Sequence, residues 1–237
     1  MKPVRVKNPN NCAQCGACET ECRDSCTACG KCLSRCPRGL LRISGKWWDA
    51  EALASRVLRN KAMLLEGGVT VSGGEALMQP DFTIELMDRL APLHRAVETS
   101  GYGSNEKWSE LLKRLELVYY DIKLADAEKH RFYTGASNEM ILENLETLKA
   151  SGVPFVIRIP TISGVNDDEG NMLATAKLLH GCETLQSVEL LPYNEYAGSK
   201  YPLVGKTYKY SFTKPSVETL ERCRDIFRSE GLLCIIR

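Results

Sequence analysis

The chain has no charge surplus: 31 lysines and arginines face 30 aspartates and glutamates, a formal net charge of +1. A balance of that kind sets up no overall field to draw the protein to nucleic acid or to an anionic membrane. The sequence also lacks an apolar run of membrane length, and it opens Met-Lys-Pro instead of on an apolar signal segment. These absences imply a cytoplasmic chain whose partner is a protein or a small molecule, with no nucleic acid and no membrane. Histidine is scarce. His94, His130 and His180 lie scattered on segments that read as helix or loop, with no spacing that would bring them onto one metal, so each reads as a surface or packing residue.

Cysteine is the exception, because eight of the eleven are packed into two back-to-back runs. The first is Cys12, Cys15, Cys18, Cys22; the second is Cys26, Cys29, Cys32, Cys36, followed by Pro37. This is the spacing of a two-cluster bacterial ferredoxin. Thiolates two and three residues apart on tight loops cap three corners of an iron–sulfur cube, and the fourth corner comes from the other run. On that reading Cys12, Cys15, Cys18 and Cys36 hold one 4Fe-4S cluster, and Cys26, Cys29, Cys32 and Cys22 hold a second. Structural zinc knots usually separate their cysteine pairs by longer inserts, and a disulfide framework does not suit a chain without a secretory start. Cys182, Cys223 and Cys234 are far apart and read as buried thiols.

With 237 residues, 43% of them hydrophobic, the chain is long enough for one sizeable core beside a small cysteine module. We expect two domains, a ferredoxin-like module over 1–45 and a larger one over 46–237. From residue 49 onward helices of ten to sixteen residues alternate with short apolar strands, which implies parallel β/α units. The helices are expected over 49–65, 81–90, 105–115, 138–152, 168–179 and 215–230. The strands are expected over 69–71, 96–99, 118–123, 155–159, 188–191 and 232–236, with a long loop over 192–214. The inventory begins with a helix, whereas a parallel barrel should begin with a strand. The fold class is therefore α/β, a partial parallel (β/α) barrel whose first strand is missing, after the two-cluster module.

In such barrels the working residues sit where strands run into loops. Those positions are Gly73, Gly74 and Glu75; Glu98, Thr99 and Ser100; Asp121 and Lys123; Arg158; and Asn194. Singly, each has an ordinary explanation: glycines shape turns, and carboxylates favour helix starts. Their joint placement on one face, beside a module that delivers single electrons, is what argues for a site.

The double cysteine run, Val71-Ser72-Gly73-Gly74-Glu75, Glu98-Thr99-Ser100-Gly101, Tyr120-Asp121-Ile122-Lys123, Arg158-Ile159-Pro160, Gly164-Val165-Asn166-Asp167 and Leu190-Leu191-Pro192-Tyr193 occur in that order. Together they cover nearly the whole chain, which resembles the activating enzymes of glycyl radical enzymes, a branch of the radical S-adenosylmethionine superfamily. The resemblance implies a barrel of the radical SAM type and S-adenosylmethionine as cofactor. It further implies reductive cleavage of that cofactor, a glycyl radical enzyme as partner, and a flavodoxin or ferredoxin as electron donor. It places Gly73, Gly74 and Glu75 at the methionyl amino group, Lys123 at the methionyl carboxylate and Asp121 at the partner's loop, the last two as catalytic residues. Thr99 and Ser100 would lie near the ribose, and Arg158 near the carboxylate or the glycine loop. Ile122 lies within the same Asp-x-Lys motif, and Asn194 stands where some relatives have histidine.

One family feature is not in the sequence. The Cys-x3-Cys-x2-Cys loop that holds the cofactor-binding cluster precedes the ferredoxin-like insert in the family, and this chain begins where the loop would end. We expect either a recorded start at an internal methionine or a truncated variant, with a third 4Fe-4S cluster only in a full-length form. An in-frame Cys-x3-Cys-x2-Cys in the upstream DNA is the observation that decides. Taken literally, the sequence also fits an iron–sulfur electron-transfer or regulatory protein with a SAM-binding barrel remnant and no radical chemistry.

Overall fold

The computed structural model describes residues 4–19, 26–64, 66–208 and 210–237. The chain forms two units, one of Met1–Trp48 with Asn194–Ser211, the other of Asp49–Tyr193 with Phe212–Arg237. The long loop expected over 192–214 is thus divided: residues 194–211 belong with the cysteine module and contain two 3-10 turns, Glu195–Lys200 and Pro202–Val204.

In the cysteine unit, β1 (Val4–Lys7) pairs antiparallel with β2 (Leu41–Ser44), matching Val4 to Ser44 and Lys7 to Leu41. The two strands bracket the cysteine runs. The apolar core is tiny, with Cys18, Cys32 and Leu41 buried and Leu33 and Cys36 packed on them.

The larger unit holds six parallel strands in sequential order: β3 (Val69–Val71), β4 (Arg95–Thr99), β5 (Leu117–Asp121), β6 (Phe155–Thr161), β7 (Leu185–Pro192) and β8 (Cys234–Ile236). The helices are α1 (Ala50–Leu58), α2 (Lys61–Leu64), α3 (Pro80–Arg89), α4 (Asn105–Leu112), α5 (Ala127–Thr134), α6 (Glu139–Ser151), α7 (Glu169–Leu178) and α8 (Val217–Ser229). The sheet's period-two alternation sends Val97, Val118, Tyr120, Ile157, Ile159, Val188 and Leu190 into one helix-covered core, completed by Trp108, Leu145, Leu148 and Phe227. Each such side chain contributes about 1.5–3 kcal/mol on burial. The alternate positions, Glu98, Tyr119, Asp121 and Arg158, are only part-buried. One face is therefore apolar and helix-covered, and the other carries these part-buried polar side chains beside the buried Glu189.

Two expectations needed correction. The helix over 49–65 is two helices, α1 and α2, separated at Arg59 and Asn60. Helix α5 was not foreseen: its sequence is mostly polar, and His130 is its one buried side chain, so it carries no apolar stripe to read. Helix starts follow side-chain chemistry, with Asp49, Ser104, Asp126, Asp168 and Ser216 each accepting a backbone N–H of the first turn.

The turn after β4 depends on Gly101. Its φ is +73°, and a Cβ there would run into the ring and hydroxyl of Tyr120. That hydroxyl, buried and pushed above its usual pKa by desolvation, donates to the carbonyl of Ile141 at 2.6 Å. We expect Gly101→Ala to lose about 2–4 kcal/mol, through left-handed strain and a broken buried hydrogen bond. Thermal unfolding followed by circular dichroism should show a drop of several degrees, about 2–4 °C per kcal/mol at this chain length.

Candidate active site

The described parts of the two cysteine runs share a backbone feature around Cys15 and Cys29. Gln14 and Ala28, each the residue before the middle cysteine of its run, both have φ of +53°, and Gly16 and Gly30 just after it have φ of +70° and +83°. Left-handed backbone at a non-glycine residue costs of order 1 kcal/mol or more and persists where its surroundings demand it. Its repetition at equivalent positions marks two equivalent cradles. Cys12, Cys15, Cys18 and Cys36 line one cavity together with Lys7 and Arg38. Cys26, Cys29 and Cys32 are described, while Cys22 lies outside the described residues.

All ten described cysteines are free thiols, and for Cys12, Cys29 and Cys36 the surrounding donors favour thiolate. The backbone N–H of Gln14, 3.4 Å from Cys12 Sγ, and the Lys7 ammonium hold the Cys12 thiol below its usual value. The N–H groups of Leu40 and Arg38 do the same for Cys36, and that of Lys31 for Cys29. The donor set fits iron–sulfur clusters, whose potentials respond to just such hydrogen bonds.

In the sheet unit, the turn Ser72-Gly73-Gly74-Glu75 leaves the end of β3. Gly73 and Gly74 have φ of +83° and +65°, and a Cβ on Gly73 would meet open space, so a ligand can approach this backbone. The Glu75 carboxylate is not free. It accepts from Leu77 N (3.1 Å), Thr99 Oγ1 (2.5 Å), Ser100 N (2.9 Å) and Ser100 Oγ (2.7 Å). Thr99 and Ser100, expected beside a ribose, thus tie the β3 turn to the end of β4.

Glu75, Ser100 and Lys123 line one cavity of about 340 Å³, together with Tyr102, His130, Thr134 and Ile141. That volume lies in the lower part of the range for small-molecule sites. Lys123 Nζ is 3.5 Å from Asp121 Oδ2. Burial raises the pKa of Asp121, while Lys123 and Arg158 pull it back. Ile122 points the other way, into the core at 2% exposure, so its side chain takes no part. Asn194 lies in the cysteine unit, where its side chain accepts from Tyr196 N at 2.9 Å and caps a turn.

Arg158 is heavily engaged. It pairs with Glu98, itself bonded to Ser72, and with Glu189 at 3.1 Å, and it stacks 3.9 Å over the Tyr119 ring. Glu189, 2% exposed, also takes Arg237 at 2.5 Å. Burial alone would push the Glu189 carboxyl up; the Arg237 and Arg158 guanidinium groups outweigh it and hold it below the usual carboxylate range.

Sequence reasoning missed a set of buried asparagines. Asn166 donates to the carbonyls of Lys123 and Pro160, both at 2.8 Å, and Asn138 to those of Leu124 (3.1 Å) and Ala125 (2.8 Å). Asn171 accepts from Ala125 N at 3.0 Å. Asn144, in the middle of α6, donates to the carbonyls of Gly101 (2.7 Å) and Gly103 (2.9 Å). They clamp the loops that carry Lys123 and Ser100. For Asn144 and Asn171 the available signal was asparagine inside a helix, where its propensity is poor.

A family model of the Radical SAM superfamily matches residues 10–176. This protein belongs to that superfamily, which implies S-adenosylmethionine and a 4Fe-4S cluster. Its relatives there are activating enzymes. The 4-hydroxyphenylacetate decarboxylase activating enzyme of Clostridium scatologenes is 31% identical over 210 residues, 86% of this chain and 67% of that protein. The trans-4-hydroxy-L-proline dehydratase activating enzyme of Clostridioides difficile is 35% identical over 197 residues, 80% of this chain and 65% of that one. A crystallised domain of the pyruvate-formate lyase-activating enzyme from Bacteroides vulgatus superposes with a TM-score of 0.62 at 32% identity, covering 72% of this chain and 99% of that one. The chain spans about half to two thirds of the length of such curated relatives.

The open backbone at Gly73 and the cavity with Lys123 suit a zwitterionic ligand such as S-adenosylmethionine. The cluster that chelates that cofactor is a different matter, because none of the sheet unit's thiols suits it. Cys223 and Cys234 are buried in the core, and burial raises all three thiols, Cys234 to about 12. No helix among the described residues is long and apolar enough to cross a membrane.

We expect Glu189→Gln to destabilise the fold by about 1–3 kcal/mol, since a buried acceptor of two guanidinium groups loses its charge. The wild-type contribution is present above the unfolded-state pKa of a glutamate and is lost as pH falls through the lower folded-state value. Urea unfolding across acidic pH should show that loss in the wild type and its absence in Glu189→Gln.

Proposed function

We propose that this chain is the greater part of an activating enzyme that uses reductive cleavage of S-adenosylmethionine to install a glycyl radical on a partner glycyl radical enzyme. The observation that carries the reading is the convergence of the Gly73–Glu75 turn, Ser100 and Lys123 at the carboxyl ends of parallel strands, in a chain that also cradles thiols for electron transfer. Two 4Fe-4S clusters are assigned to the module over 1–45, one on Cys12, Cys15, Cys18 and Cys36, the other on Cys26, Cys29, Cys32 and Cys22. A flavodoxin or ferredoxin would supply the electrons. The partial barrel over 46–237 binds the cofactor, and the setting is the anaerobic cytoplasm, where thiols and low-potential carriers stay reduced.

Within the barrel, Lys123 pairs with the methionyl carboxylate, and its three donors suit a compact anion. The backbone carbonyls beside Gly73 and Gly74 accept from the methionyl ammonium, with Glu75 fixing the turn and adding negative charge. Thr99 and Ser100 hold Glu75 and border the ribose side. Arg158 offers a second cation toward the carboxylate or the glycine loop, and Asp121 faces the incoming loop. Held by these residues, S-adenosylmethionine would supply, on one-electron reduction, the radical chemistry directed at a glycine α-carbon, the protein's own part being binding and orientation. No step is assigned through the cofactor-chelating cluster, whose cysteines are not among these residues.

Anaerobically prepared protein should contain about eight irons per chain, as two four-iron clusters require; zinc in their place would refute the cluster assignment. Lys123→Ala should weaken binding of S-adenosylmethionine by roughly tenfold, the worth of one charge-assisted contact, measured by equilibrium dialysis with iron content unchanged. Undiminished binding would remove Lys123 from the site. A glycyl radical signal in the electron paramagnetic resonance spectrum of a partner enzyme tests the activity itself.

A further inference from the structure

Charge that cancels over the whole chain does not cancel within its units. The unit of Met1–Trp48 and Asn194–Ser211 has twelve lysines and arginines against four aspartates and glutamates; the other has nineteen against twenty-six. In the sheet unit many cations are matched locally, as Arg95 is by Glu116 at 2.6 Å and Arg114 by Asp88 at 2.7 Å. In the cysteine unit Lys31, Arg42, Lys200 and Lys206 are exposed and, among the described residues, none is paired with a carboxylate.

Part of this surplus lies against the thiols. Lys31 sits between Cys29 and Cys32, and Arg35 and Arg38 flank Cys36; all three cations are exposed. Cys15, Cys26 and Cys29 are exposed as well, so whatever they ligate lies close to the surface. The two proposed clusters, each with four thiolates on a doubly positive core, would remove half of the surplus and leave the unit positive.

We infer that the face around Lys31, Arg35 and Arg38 is the docking surface for an acidic one-electron carrier protein, which deepens the proposed function and rests on its cluster assignment. The transfer is outer-sphere: the carrier gives up one electron, a cluster takes it, and no bond is made or broken. Opposite charge steers the encounter and accelerates it by roughly ten to a thousandfold. A near-neutral whole chain achieves this only by segregating its charge, which spares it the non-specific binding of a uniformly basic protein.

The test is stopped-flow reduction of the iron-loaded protein, followed by cluster bleaching. A reduced plant-type ferredoxin with an acidic surface is the protein probe, and the methyl viologen radical cation is the small reductant. Between about 0.01 and about 1 M salt, where the screening length shrinks from about 30 to about 3 Å, the ferredoxin rate should fall at least tenfold while the viologen rate does not fall. Lys31→Glu with Arg35→Glu should lower the ferredoxin rate at low salt by roughly tenfold, with iron content and viologen reduction unchanged. A salt-independent ferredoxin rate in the wild type overturns the inference even if the variant fails to load iron. So does an undiminished rate in a loaded variant. If charge reversal instead weakens only radical installation on a partner enzyme under viologen reduction, the face belongs to that partner and the inference fails. Wild-type protein without iron would sink the cluster assignment on its own account, and the docking surface with it.

Discussion

Strand-end loops leave backbone groups unpaired, and each one that is buried must find a partner or cost about 1–3 kcal/mol. The sheet unit meets this constraint with buried amides and one carboxylate. Asn144 holds the loop after β4 from a helix, Asn138, Asn166 and Asn171 hold the loop after β5, and Glu75 ties the β3 turn to β4. With those anchors in place, the parts that meet a ligand, the Gly73 backbone and the Lys123 ammonium, are presented by a preorganised frame instead of by mobile loops.

The same frame explains why several polar residues at strand ends serve structure. The open face of the sheet carries charges of alternating sign, from Glu98 through Arg158 and Glu189 to Arg237. Ions in a half-buried setting are retained only if paired, since desolvation of a lone charge exceeds any single contact. Arg158 is thus held within the chain of charges, with Tyr119 beneath it. Any anion that draws on Arg158 must compete with Glu98, whereas Lys123 has, among the described residues, only the more distant Asp121 to leave.

Much of this was legible in the residues. The alternation of short apolar strands with helices named the sheet, helped by period-two burial that is strict in β5 and from Ile157 to Thr161 in β6. The cysteine spacing grouped Cys12, Cys15, Cys18 and Cys36, and those four side chains line one cavity. What escaped was either short of pattern or long in range. Helix α5 offers a single buried side chain, His130, and no periodicity arises from one point. The ionic partners of Arg158 lie 60 and 31 residues away, and nothing local announces them. Residues 194–211 join the cysteine unit from the far end of the chain, a placement that only tertiary contact determines. Ile122 shows the converse error: a motif names three consecutive residues, but in a strand every second side chain faces away.

The cysteine unit's core of Cys18, Cys32 and Leu41 is far too small to repay the chain entropy of some sixty residues, each costing about 1–2 kcal/mol. On the proposed cluster assignment, a module built this way would take its shape from the inorganic part it held, as small metal-organised domains do. Supply of iron and sulfide would then govern maturation of this unit, and oxygen that stripped the metal would undo its architecture along with its redox capacity, while the sheet unit stayed intact.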